Sequence, residues 1–216
     1  MNNPILIRVV VSLVLYFFLY YFGGSFGEMV LYPVTRLVTF LHEFGHALGA
    51  LITGGSVLGI QINPDGSGYT KTLGGSASVI LMGGYIGSAL LGNLIFYIGA
   101  RMERFASFTI YVIAGLMLFS GIFWFEAVYS TGFLIAFSIG LYLLVSYTNF
   151  AREILMFVGL AVILYIIQDF NVGPTSDLEK YAELFVIIPA GVWMYIWLGI
   201  VILLFIGNIR LIFKSN

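Results

Sequence analysis

Apolar positions in this chain fall in long runs rather than in the spaced stripes of a soluble helix: about Pro4 to Phe22, Met29 to Ile52, Ala77 to Ala100, Phe105 to Phe125, Thr131 to Thr148, Glu153 to Gln168 and Leu184 to Gly207. Each is close to the ~20 residues that cross a bilayer as a helix. A helix meets its own backbone hydrogen-bonding needs, which lipid cannot do. The pattern therefore predicts an all-α polytopic membrane bundle of six to seven transmembrane helices. The first run is longer than a signal-peptide core and is not followed by a small-residue cleavage pattern, so it reads as a retained helix.

Between the runs most connections are just long enough to turn one helix back beside the next, as at Arg101 to Arg104 and Asn149 to Arg152. No linker appears, and the whole chain, residues 1–216, reads as one membrane-embedded domain. Two longer polar stretches break the series, Thr53 to Ser76 and Asp169 to Glu183. In the first, Ser56 to Asn63 and Ser67 to Leu73 alternate in the manner of strands around Pro64-Asp65-Gly66, which predicts a small β-hairpin after the second helix.

Composition agrees with a lipid setting: 61% of residues are hydrophobic and 9% charged, against roughly 25% charged in a soluble domain. A formal net charge of −1 with no basic block gives no reason to expect a nucleic-acid partner. The absence of cysteine excludes disulfides, thiolate nucleophiles and cysteine metal sites, so any metal would be held by His, Asp or Glu. Strict alternation of seven spans would place Arg8 with Lys71 and Lys180 on one side and Arg101, Arg104, Arg152, Arg210 and Lys214 on the other, which favours a cytoplasmic C-terminus.

The two histidines of the chain occur together, as His42-Glu43-Phe44-Gly45-His46 within the second run. Residues four apart share a helix face, so both imidazoles can meet one ion, and nitrogen ligands at ~2.0–2.1 Å suit zinc. Glu43, rotated away from that face, is placed to act as general base on a water whose pKa the metal lowers to about 7. The plainer alternative is a set of inter-helix hydrogen-bonding groups or an ion relay, as occurs in membrane helices. Three ionisable groups within five buried positions are costly unless partnered, and one divalent cation would partner them all.

A catalytic zinc takes three protein ligands and keeps a position for water, so a third ligand must come from elsewhere, and here it must be a carboxylate. Asp169 and Asp177 both follow the sixth run and fall on the hairpin side if spans alternate. Asp169 ranks first, because Ser176-Asp177-Leu178-Glu179 resembles a capping box in which an acid serves the helix terminus. Asp65, in a Pro-Asp-Gly turn, and Glu126 rank lower. Gly83, Gly84, Gly87 and Gly92 mark the third helix as close-packing, with the motif helix as the expected neighbour. The hairpin could present an edge to an extended substrate, for which proline at Ile60 or Ile62 would be a test. Arg36, one heptad before Glu43, has no role in this reading.

Together these features resemble the site-2 protease family of intramembrane zinc metallopeptidases, in its compact branch without a PDZ domain. The resemblance rests on His42-Glu43-Phe44-Gly45-His46 with Ala47-Leu48, Thr53-Gly54-Gly55, the Pro64-Asp65-Gly66 hairpin, Gly83-Gly84-Tyr85-Ile86-Gly87, Thr175-Ser176-Asp177-Leu178, and Pro189 with Trp193 and Trp197. It implies one zinc per chain on His42, His46 and a distant aspartate, Glu43 as base, and membrane-spanning or membrane-proximal peptides as substrates. Other members carry the third ligand in a late Asn-Pro…Asp-Gly motif; here Asn63-Pro64-Asp65-Gly66 comes too early, so Asp169 and Asp177 both stay open. The rival from another class is a membrane metal-binding scaffold or transporter using the same cluster without proteolysis, and two histidines with a carboxylate also accept other divalent ions.

Overall fold

In the computed structural model, residues 4–168, 170, 172–173 and 176–214 are described. Among them, eight helices and one hairpin follow in the order α1 (Pro4–Phe22), α2 (Gly24–Ile52), β1 (Ser56–Ile62), β2 (Gly68–Leu73), α3 (Ala77–Arg101), α4 (Ala106–Phe123), α5 (Val128–Tyr147), α6 (Ala151–Gln168), α7 (Asp177–Leu184) and α8 (Ala190–Lys214). Six of the helices, all but α2 and α7, are long and apolar enough to cross a membrane. The protein is thus a multi-pass integral membrane protein, built as the apolar runs predict.

The seventh run divides differently from its hydropathy: Leu184 closes the short polar helix α7, and the span itself begins at Ala190. Helix α2 also starts earlier than its apolar run, continuing through Pro33. It carries Arg36, Thr39, Glu43 and His46, all buried, alongside the fully packed Phe40, Ala47 and Ala50. A helix with that polar content is stable in a membrane only if neighbours shield it, and α2 is wrapped by α1, α3, α6 and the hairpin.

Close approach around α2 depends on glycine. A Cβ at Gly49 would lie 2.8 Å from the Val79 carbonyl oxygen, and one at Gly83 would clash with the Gly45 carbonyl, so the α2 and α3 backbones touch. The glycine-rich stretch Gly83–Gly87 forms a π-helical turn within α3, which widens the helix where it meets the motif. Gly92 serves a different neighbour from the one its sequence context suggests: it faces Val162 and Gly159 of α6. Farther along, Asn208 of α8 donates to the Asn93 carbonyl of α3 at 2.7 Å and to its side-chain oxygen at 3.0 Å, a buried polar tie between two spans.

Arg8 does not lie where strict alternation puts it. Its Nε is 3.2 Å from Glu153 at the start of α6, while Tyr16 donates to Gln168 at the end of α6 (3.1 Å). Helix α1 therefore runs parallel to α6, and Arg8 joins the Arg152 end of the bundle. The hairpin is antiparallel, pairing Ile60 with Thr70 and Ile62 with Gly68, with an irregularity between Val57 and Gly59. Gly66, at φ +100°, supplies the left-handed backbone that its turn requires.

Candidate metal centre

The helical repeat brings His42 and His46 side by side, their ring centroids 4.9 Å apart and nearly perpendicular. Their Nε2 atoms are 3.2 Å apart, and Asp177 Oδ2 lies 3.1 Å from each. These three side chains are the group able to hold a metal ion among the described residues. The side chains are 19%, 8% and 18% exposed for His42, His46 and Asp177, so the cluster is sheltered but reachable.

Asp177 reaches the histidines because another residue caps its helix. The Ser176 hydroxyl accepts from the Glu179 backbone N–H at 3.2 Å, leaving the aspartate free to turn toward α2. Helix α7 is held down by buried Leu178 and by Tyr181, whose ring meets Trp193 and Trp197 edge-on at 4.8 Å and whose hydroxyl reaches the Met82 sulfur at 3.3 Å. Burial opposes ionisation of Asp177, but hydrogen bonding to His42 and to His46 outweighs it and keeps the carboxyl well below the usual carboxylate range. Asp169, the first-ranked third ligand from sequence, lies outside the described residues.

Supporting contacts orient the imidazoles. His46 Nδ1 is 2.7 Å from the Ile80 carbonyl, which can only accept, so that nitrogen carries a proton and Nε2 is left to face His42 and Asp177. A cation in place of the Nε2 proton would be met by the His46 lone pair and the Asp177 oxygen together. His42 stands edge-on to Tyr85 at 4.9 Å, and Tyr85 stacks on Phe170 at 4.7 Å. Gly84 sits against both rings, where a Cβ would be 2.5 Å from His46 Nε2 and 2.6 Å from His42 Nε2. Neither the Ile80 carbonyl nor Gly84 has a side-chain signal in the sequence beyond the Gly83-Gly84 pair itself.

Glu43 is buried next to this cluster, with Thr70 of β2 hydrogen-bonded to its carboxylate at 2.8 Å. His42, Glu43, His46 and Asp177 all line a cavity of about 570 Å³, together with Gly68, Tyr69, Thr70 and Thr72 of β2. A larger groove of about 740 Å³ between α1, α2, α5 and α6 is lined by apolar side chains apart from Arg8, Ser12 and Glu153 and shares no residue with the cluster.

The two lower-ranked acids are engaged elsewhere. Asp65 accepts from the Ser67 backbone N–H at 2.9 Å and hydroxyl at 2.7 Å in its turn. Glu126 pairs with Lys71 and accepts from Tyr69, and the Lys71 contact holds its carboxyl below the ordinary range. Arg36 has a clear structural role: its guanidinium donates to the Pro64 carbonyl and lies over the Tyr32 ring at 4.0 Å, fixing the hairpin turn against α2.

Comparison with curated proteins and with solved structures finds no match. The Peptidase M50B-like family profile, in contrast, matches residues 7–208, nearly the whole chain. The chain therefore belongs to the Peptidase M50B-like family, within the site-2 protease family of intramembrane metalloproteases.

Proposed function

We propose that this protein is a zinc endopeptidase that cuts membrane-spanning or membrane-proximal segments, with His42, His46 and Asp177 as metal ligands and Glu43 as general base. One observation carries the reading. Tetrahedral zinc with ligands at ~2.0–2.1 Å places neighbouring ligand atoms roughly 3.3 Å apart, and the three separations here are 3.2, 3.1 and 3.1 Å. Two nitrogens and one carboxylate oxygen, with no thiolate, are a donor set that zinc accepts.

Bound zinc would supply Lewis acidity, making a water acidic enough to lose its proton near neutral pH. The chain's own groups do the rest. Glu43 is not among the converging ligand atoms but lines the same cavity, so its carboxylate can accept the water's proton and deliver it to the departing amide nitrogen. Asp177 is held ionised beside the histidines, balancing cationic charge in a setting where lipid screens poorly.

The hairpin supports substrate binding, on β2 rather than β1. Ile60 N–H donates to the Trp124 carbonyl at 3.0 Å and Ile62 N–H to the Ser130 hydroxyl at 2.9 Å, so the outer edge of β1 is taken. In an antiparallel ladder their partners Thr70 and Gly68 then turn their backbone groups the other way, toward the cavity. An extended substrate strand laid on that edge would pass the metal ligands. Proline at Ile60 or Ile62 would disrupt the fold instead of testing this; N-methylation of a substrate peptide at alternate positions is the better probe. Cleavage should drop at one parity of methylated positions only, and equal sensitivity at both would count against strand pairing.

The function is tested with purified protein and a panel of transmembrane peptides. Glu43→Gln should keep the metal and lose cleavage, whereas a scaffold or transporter would show no cleavage in the wild type.

A further inference from the structure

Arg36, Thr39 and Glu43 lie along one side of α2, and each holds a successive part of the hairpin. The Arg36 guanidinium donates to the Pro64 carbonyl, the Thr39 hydroxyl is 2.8 Å from the Gly66 carbonyl oxygen, and the Thr70 hydroxyl is 2.8 Å from Glu43 Oε2. Resting on the reading of Glu43 as base, we propose that Thr70 is a positioning residue for it, so that seating of the hairpin sets the proton-transferring carboxylate.

The chemistry of the contact supports a directed role. Thr70 has one hydroxyl proton and two acceptors in reach, the Glu43 carboxylate at 2.8 Å and the Glu43 backbone carbonyl at 2.9 Å. An ionised carboxylate is the stronger acceptor. Glu43 is only 4% exposed, and among the described residues Thr70 is the one hydrogen-bond donor to its carboxylate. A buried carboxylate with a single directional partner takes its orientation from that partner.

The same strand shapes the other carboxylate oxygen. A Cβ at Gly68 would come 2.9 Å from Glu43 Oε1 and Cγ and from the Thr39 methyl carbon Cγ2. Strand β2 thus fixes Oε2 with a hydroxyl and leaves room at Oε1 with a bare Cα, so Oε1 is the oxygen free to handle the proton. The nearest neighbours of that Cβ are side chains and not backbone, so a methyl at Gly68 would displace the base and press on Thr39 beside it.

The test compares full-length zinc-loaded wild type with Thr70→Val, Thr70→Ser, Gly68→Ala and Glu43→Gln. Thr70→Val keeps the shape and loses the donor: kcat should fall about 10- to 100-fold, as expected for a misplaced catalytic group, with KM and zinc content unchanged. Thr70→Ser should restore kcat, and Gly68→Ala should lower it like Thr70→Val. As a readout apart from turnover, the carboxylate infrared bands of Glu43, isolated by difference against Glu43→Gln in metal-free protein, should move in Thr70→Val and stay in Thr70→Ser. Should Thr70→Val fail to fold, Gly68→Ala and Thr70→Ser carry the comparison. Wild-type kcat in Thr70→Val, an effect on KM alone, or a Thr70→Ser variant as slow as Thr70→Val overturns the positioning role. Persistent cleavage by Glu43→Gln would instead overturn the base assignment beneath it.

Discussion

Gly84→Ala offers a test of the metal centre that leaves every ligand in place. A methyl carbon at Gly84 would sit 2.5 Å from His46 Cε1 and Nε2 and 2.6 Å from His42 Nε2. Comfortable non-bonded contact begins near ~3.5 Å, so the overlap is about 1 Å, and it falls where the two Nε2 atoms converge. The imidazole rings are side-chain ends and would swing aside, whereas metal sites hold ligand distances to about 0.2 Å. Overpacking of this kind costs about 1–3 kcal/mol of stability, which a packed bundle can survive. Zinc affinity should fall by about 100-fold or more, roughly 2.7 kcal/mol. Competition with a chromophoric chelator measures it, alongside Gly87→Ala, where the added carbon would meet Gly45 Cα at an ordinary 3.6 Å. Equal zinc affinities for Gly84→Ala and Gly87→Ala, both folded, would refute the site as described.

Other consequences are equally concrete. Asp177→Asn should weaken zinc binding by more than the roughly 10- to 100-fold typical of losing a supporting partner, while Asp169→Asn should bind as wild type; the reverse order, read by metal analysis, would move the third ligand to Asp169. Ser176→Ala removes the cap beneath Asp177 and should cost about 1 kcal/mol, a factor of about five in zinc affinity; no change in affinity would mean that α7 holds Asp177 without its cap. Arg36→Met should speed hydrogen exchange across residues 56–73 and slow cleavage while leaving zinc bound, since Arg36 fixes the turn and not the ligands; unchanged exchange would show the turn to be held by Thr39 alone.

The sequence was most informative where chemistry is local. A five-residue motif in an apolar run places two histidines on one helix face without any knowledge of neighbours, and alternation around Pro64-Asp65-Gly66 marks the hairpin. Choosing between Asp169 and Asp177 was not local. Both follow the same helix, and the capping signature around Asp177 offered a sufficient reason for an acid there; only the structure shows Ser176 filling that role and the aspartate turned to the histidines. Arg36 and Thr70 were illegible for a related reason, since their partners lie 28 and 27 residues away along a chain that folds back on α2. The direction of α1 is not legible because strict alternation sets the first and sixth helices antiparallel by counting alone, whereas the ion pair of Arg8 with Glu153 places the start of α1 at the start of α6.

Metal content and peptide cleavage measured together in purified wild type, His46→Ala and Glu43→Gln decide whether the His42–His46–Asp177 cluster is a proteolytic zinc site. About one zinc per chain is expected in wild type and Glu43→Gln, with loss of zinc in His46→Ala and cleavage of transmembrane peptides by the wild type alone. Zinc retained by His46→Ala, or cleavage by Glu43→Gln at the wild-type rate, would contradict that assignment.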